Sequence, residues 1–131
     1  MLSGFIYINN NIFESLFALS NLEQEKGLMY CEADPPFMSF AYQNPKINMF
    51  WMKNVPVPLD IVFCCNREIN QICRGEPFST SIIGSDCYSD FIIEFPAGTV
   101  KNSEIKLGHK IGIVKPSESE FKKILANYKK Y

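Results

Sequence analysis

Lys53 and Asp60 flank the run Val55-Pro56-Val57-Pro58, and each is a charge in a segment whose other residues are mostly apolar. If the flanking segments pair as strands about a bend centred between Pro56 and Val57, Lys53 falls opposite Asp60 and Asn54 opposite Leu59. Strand alternation puts Met49, Trp51 and Lys53 on one face, so an indole, an ammonium and a carboxylate converge at one end of a sheet. Glu94, the one charge in the apolar run 91–95, is a candidate to join them from another strand. Apolar walls with a few convergent polar groups make a binding pocket. Trp51, Lys53, Asn54, Asp60 and Glu94 are therefore candidate contacts for a small ligand or a peptide end. Two carboxylates close together and shielded from water would also push one pKa upward, as a general acid or base requires, so Asp60 and Glu94 supply a hydrolase-like alternative. A structural role accounts for the same residues. The Lys-Asp pair can close a hairpin, Trp51 can fill core, Asn54 can satisfy turn amides, and the prolines can stiffen the link.

Other chemistry has thinner support. His109 is the only histidine and follows Gly108 in a predicted turn, which suits an exposed turn residue better than a general base. Nothing in the spacing supports a Cys87-His109 nucleophile pair. The five cysteines are odd in number and irregularly spaced, none forms a C-x-x-C pair, and Cys64 and Cys65, adjacent on a strand, point to opposite faces. Reduced thiols are expected, with no metal and no cofactor. Glycine-rich phosphate loops, G-x-S-x-G and H-E-x-x-H are absent.

The elements that must position these residues are short. A chain of 131 residues suits one domain that buries roughly two thirds of its unfolded surface. Its 11 Phe and 6 Tyr favour sheets over helical bundles. With 13 basic and 14 acidic residues the net charge of -1 supplies no field for phosphate backbones, so nucleic acid is not an expected partner. No segment approaches the ~18 apolar residues of a membrane span, and the first ten residues lack a basic, signal-like start. No membrane association and a cytoplasmic location are expected.

Residues 5–8 and 12–19 read as a hairpin about Asn9-Asn10-Asn11. Ser20-Asn21-Leu22-Glu23 is a capping box that predicts a helix over residues 21–26, ending at Gly27. Pro35-Pro36 and Gln43-Asn44-Pro45 bracket a strand over 37–41, and a second strand is predicted over 49–53. Strands over 59–65 and 68–74 flank Asn66-Arg67, and a loop spans 75–90 around Ile82-Ile83. A strand over 91–95, a helical turn capped by Thr99 and a strand over 110–115 close the domain. After Pro116, Ser117-Glu118-Ser119-Glu120 is a second capping box, and Phe121, Ile124, Leu125 and Tyr128 share one side of an amphipathic helix. The expected fold is mainly β: a compact sandwich or barrel-like domain over 1–115 with short peripheral helices, and a helical extension over 116–131.

Four blocks in order resemble the family of small proteins known as the domain of unknown function 192: Lys26-Gly27-Leu28-Met29, residues 50–54 with 58–63, residues 94–99, and Ile105-Lys106-Leu107-Gly108. The resemblance runs from about Phe13 to Val114 and implies a β-sandwich-like or barrel-like domain whose activity is not established. The chain departs from the usual pattern at Lys26, where Arg is common, at Phe78, where Cys follows the proline, and at His109, where Asp follows the glycine. The missing cysteine weakens a thiol-based mechanism. The opening residues resemble phage-borne members, which makes a virion component one expectation.

Three readings follow in order. The first is a non-catalytic interaction or structural module with a protein partner or a second copy of itself, within a larger (viral) assembly, contacting through Phe121, Ile124, Leu125 and Tyr128. The second is a small-ligand or peptide-binding domain near Trp51, Lys53 and Asp60, and the third a hydrolase-like enzyme using Asp60 and Glu94.

Overall fold

Local signals set most of the elements in the computed structural model, which describes residues 1–114. Strands β1 (Leu2–Ile8) and β2 (Asn11–Ala18) join through Asn9 at φ 47° and Asn10 at φ 67°, the two left-handed residues that a tight hairpin requires. Helix α1 (Asn21–Lys26) opens on the predicted capping box: Ser20 Oγ accepts from the Glu23 amide, and the Glu23 carboxylate accepts from the Ser20 amide. Strands β4 (Leu59–Cys65) and β5 (Glu68–Gly75) turn at Asn66 and Arg67, again both left-handed. Strand β6 (Tyr88–Pro96), the short helix α2 (Thr99–Asn102) and strand β7 (Ile111–Val114) complete the described part. The predicted amphipathic helix with Phe121, Ile124, Leu125 and Tyr128 lies outside the described residues.

Two expectations are corrected. Strand β3 (Met38–Ile47) does not stop before Pro45 but runs through it. Its pairing with β6 shifts register between Ala41 and Lys46, and the proline occupies that irregular stretch, where no ladder amide is demanded of it. The strand predicted over 49–53 does not form. Phe50 makes a lone bridge to Ile83, Asn54 takes φ 60°, and the chain runs irregularly to β4. No hairpin therefore joins Lys53 to Asp60, because both edges of β4 are already paired: Asp60 stands opposite Arg74 of β5 and Phe95 of β6.

The seven described strands form one curled sheet, a half-barrel in the order β5-β4-β6-β3-β2-β1-β7. At one end its two edges meet: Ile69 donates to His109 O at 3.0 Å, Gly108 to Ile69 O at 2.8 Å and Ile111 to Arg67 O at 2.9 Å. Alternation along the strands divides the core into two layers. The concave side packs Ile6, Phe17, Val62, Phe91, Ile93 and Phe95. The convex side packs Met38, Phe40, Ile61, Phe63 and Ile92 beneath Leu28, Met52 and Val55, which belong to the irregular connections. Among the described residues no helix is long and apolar enough to cross a membrane.

Candidate functional site

The two-layer arrangement decides what each carboxylate can do. Asp60 pairs with Phe95 and so looks into the concave layer, whereas Glu94 pairs with Ile61 and looks into the convex one. Asp60 Oδ2 accepts hydrogen bonds from the amides of Gly98 at 2.9 Å and Val100 at 3.1 Å. It thus caps α2 from a neighbouring strand, the task the sequence suggested for Thr99. Thr99 Oγ1 donates instead to Pro96 O at 2.7 Å. Asp60 and Glu94 point to opposite faces of the sheet, so they do not converge as a catalytic carboxylate pair.

Lys53 also goes elsewhere. Among the described residues it makes no ion pair with Asp60, and its Nζ lies 5.1 Å from the centre of the Trp51 ring. Asn54 ties two connections together: its Nδ2 donates to the Tyr30 hydroxyl at 3.0 Å, and the Tyr30 amide donates to Asn54 O at 2.7 Å. The segment that carries Trp51 is fixed from below by Met52, which is fully buried and whose amide donates to Ser79 O at 2.9 Å. Gly75 makes that possible, since a Cβ there would stand 2.5 Å from Met52 Sδ.

Glu94 is the unexplained group. Its side chain is 4% exposed, and among the described residues it has no hydrogen-bond or ion-pair partner. Burial alone pushes its carboxyl from 4.5 up to about 8, so at neutral pH it holds a proton. It lies on the floor of an open cleft of about 340 Å³, walled by Phe40, Tyr42, Phe50, Trp51 and Met29. Exposed Glu25, Lys26 and Lys46 stand among the lining residues. Gly27 opens the way to the acid: at φ 50° and ψ -126° it turns the chain out of α1, and a Cβ there would lie 3.5 Å from Glu94 Oε1. Asn48, also in the lining, spends its amide on Ser89 O at 2.8 Å and Ser89 Oγ at 3.0 Å.

Of the five candidate ligand contacts, then, the fold brings Trp51 and Glu94 into one cleft, sets Lys53 over Trp51, and uses Asn54 and Asp60 as structural ties. Sequence reasoning missed Gly27, Phe40, Tyr42 and Phe50. Gly27 and Phe50 stand in family-like blocks, which was a usable signal, but Phe40 and Tyr42 look like any core aromatics.

The remaining reactive groups are quiet. Burial pushes the Cys64 thiol up to about 12, and Cys87 Sγ donates to Gln71 Oε1 at 2.8 Å. His109 accepts from the Lys106 amide through Nδ1 at 3.0 Å, holding a turn, so no Cys87-His109 pair exists. Among the described residues no three His, Cys, Asp or Glu side chains gather as metal ligands. A shallower depression of about 500 Å³ between β1, β2 and Pro35-Pro36 has Glu14 as the one ionisable side chain in its lining.

Comparison with known proteins places this geometry in context. A crystal structure from Sinorhizobium meliloti 1021, of a protein provisionally described as a transcription regulator, is similar at TM-score 0.78 and 27% identity, covering 85% of this chain and 93% of that one. A protein of unknown function from Novosphingobium aromaticivorans DSM 12444 is similar at TM-score 0.72 and 26% identity, covering 84% and 83%. No curated protein matches significantly. The sequence model of the domain of unknown function 192, described as an uncharacterised ACR, matches residues 6–113, and the chain belongs to that family.

Proposed function

We propose that this domain binds a small organic molecule in the cleft above Glu94. One observation carries the reading: a buried carboxyl without a partner among the described residues lies at the bottom of an open, aromatic-walled cleft. A fold gains nothing from such a group, whereas a pocket uses it to orient a guest. DNA binding, which the description of the Sinorhizobium relative would suggest, has weaker support here. The net charge is -1, and the two described helices of 6 and 4 residues are short for a groove.

Trp51 is the chain's only tryptophan and lines the cleft, so its fluorescence reports occupancy. A metabolite screen followed by this signal is expected to yield ligands whose binding, measured by calorimetry, weakens in Trp51→Ala and in Glu94→Gln, each still folded by circular dichroism. Ligands that bind both variants as well as the parent would rule the cleft out.

A second reading, an interaction module, has one observation of its own. Tyr30, Met49, Trp51, Phe78 and Ile82 stay exposed on three connections stitched together by backbone hydrogen bonds. The partner would be another protein of a larger assembly, such as a virion, or a second copy. Light scattering on the full chain tests the self-association form, and a monomer at high concentration would count against it.

A further inference from the structure

We infer that the cleft takes its ligand by a protonated amine, seated on the Glu94 carboxylate between aromatic faces. This rests on the small-molecule reading above and names the chemistry of the guest. Three observations support an ammonium rather than a neutral or anionic head. First, the buried group at the floor is an acid, and among the described residues no cation of the protein pairs with it. Second, the walls include four aromatic rings and a thioether: Phe40, Tyr42, Phe50, Trp51 and Met29. Aromatic faces with a carboxylate make the usual cage for alkylammonium groups. Third, the protein's own ammonium groups already use two of these rings. Lys46 Nζ lies 4.7 Å from the Tyr42 ring centre and Lys53 Nζ 5.1 Å from that of Trp51.

The charges facing Glu94 from the surrounding elements are compatible with this. Helix α1 contributes Glu25 and Lys26, strand β3 contributes Tyr42 and Lys46, and the connection after β3 carries Lys53 beside the lining residue Trp51. Glu25, Lys26, Lys46 and Lys53 are all exposed, where water and salt screen them, whereas Glu94 is enclosed and its interactions are not. An incoming ammonium ionises the carboxyl. The ion pair forms as the carboxyl proton leaves for the buffer, so binding near neutral pH releases close to one proton per ligand.

The test uses three probes with one apolar body: hexylamine, hexan-1-ol and hexanoate, titrated into the full chain by Trp51 fluorescence and by calorimetry in two buffers of different ionisation enthalpy. Hexylamine is expected to bind at least about tenfold tighter than hexan-1-ol, with hexanoate weakest, since a charged partner roughly doubles a hydrogen bond's strength. Glu94→Gln is expected to remove both that preference and the proton release. Equal binding of the alcohol, or preference for hexanoate, would overturn the amine inference and leave the small-molecule reading standing. Silence from all three probes would overturn the inference too, and silence in the wider metabolite screen as well would remove the reading beneath it.

Discussion

Replacing Glu94 by Gln should remove a loss of stability that the parent protein suffers as pH rises toward neutrality, and the difference should depend on pH in a calculable way. A carboxyl ordinarily titrates at 4.5, and burial holds Glu94 at about 8. Between those values the folded chain keeps a proton that the unfolded chain has lost. Stability is therefore complete below about 4.5 and falls as pH rises, by about 1.4 kcal/mol per pH unit, until the folded carboxyl also ionises near 8. By about pH 7 the loss is roughly 3 kcal/mol, a large share of the 5–15 kcal/mol typical of a domain. Gln has nearly the same volume and no proton to lose, so the variant lacks this slope.

Urea unfolding of both proteins across about pH 5 to pH 9 measures it. Every other titrating group is common to the pair and cancels in the difference. The Gln amide changes the absolute stability by a pH-independent amount, so the slope of the difference is the quantity to read. The two midpoints should draw apart with rising pH, by on the order of 1 to 2 M urea near neutrality. Parallel curves would mean that Glu94 is ionised or paired in the folded protein, and would remove the physical basis of the proposed site.

Asp60→Ala strands the amides of Gly98 and Val100 and should cost about 1–3 kcal/mol in urea unfolding, while Asp60→Asn, which keeps one acceptor, should lose less. Gly27→Ala meets ordinary contacts at 3.5 Å and 3.6 Å, so its cost of about 1–3 kcal/mol comes from the backbone at φ 50° and ψ -126°. It should also weaken cleft ligands, because the methyl group covers Glu94 Oε1. Gly75→Ala drives a Cβ to 2.5 Å from Met52 Sδ and should cost about 1–3 kcal/mol while shifting the emission of Trp51, next in the chain to Met52.

What could be read in the chain was what a few neighbouring residues decide. Asn9-Asn10, the Ser20 to Glu23 box and Asn66-Arg67 each fix their own turn or cap, and each formed as expected. The segment from Phe50 to Asp60 misled because its apolar residues imitate a strand. Pairing is settled by which edges are free, and β4 gave both of its edges to β5 and β6. The role of Asp60 was invisible for a related reason: its partners are backbone amides 38 and 40 residues away, which leave no mark of residue type. Glu94 was visible, as a lone charge in an apolar run, but not its side of the sheet, which a one-residue register change would have reversed. The cleft draws walls from α1, β3 and the connection after β3, and no local pattern joins those segments.

Asp60 and Glu94 form an internal control for reading the site. They lie on adjacent strands of one sheet, in diagonal register, one on each face. A carboxylate kept for the fold should look like Asp60: half-buried, with an oxygen held by two backbone amides and a turn fixed in exchange. Glu94 is more deeply buried, fixes no turn and costs the folded state more with every step toward neutral pH. Leu or Met at that position would fill the convex layer without the penalty, as they do beside it at Leu28 and Met38. Among the described residues the fold therefore does not explain the acid, and the proposed site accounts for it by a term that is favourable, specific to a carboxyl group and supplied from the open side of the cleft. A bound cation meets all three conditions, and a neutral apolar guest meets only the last.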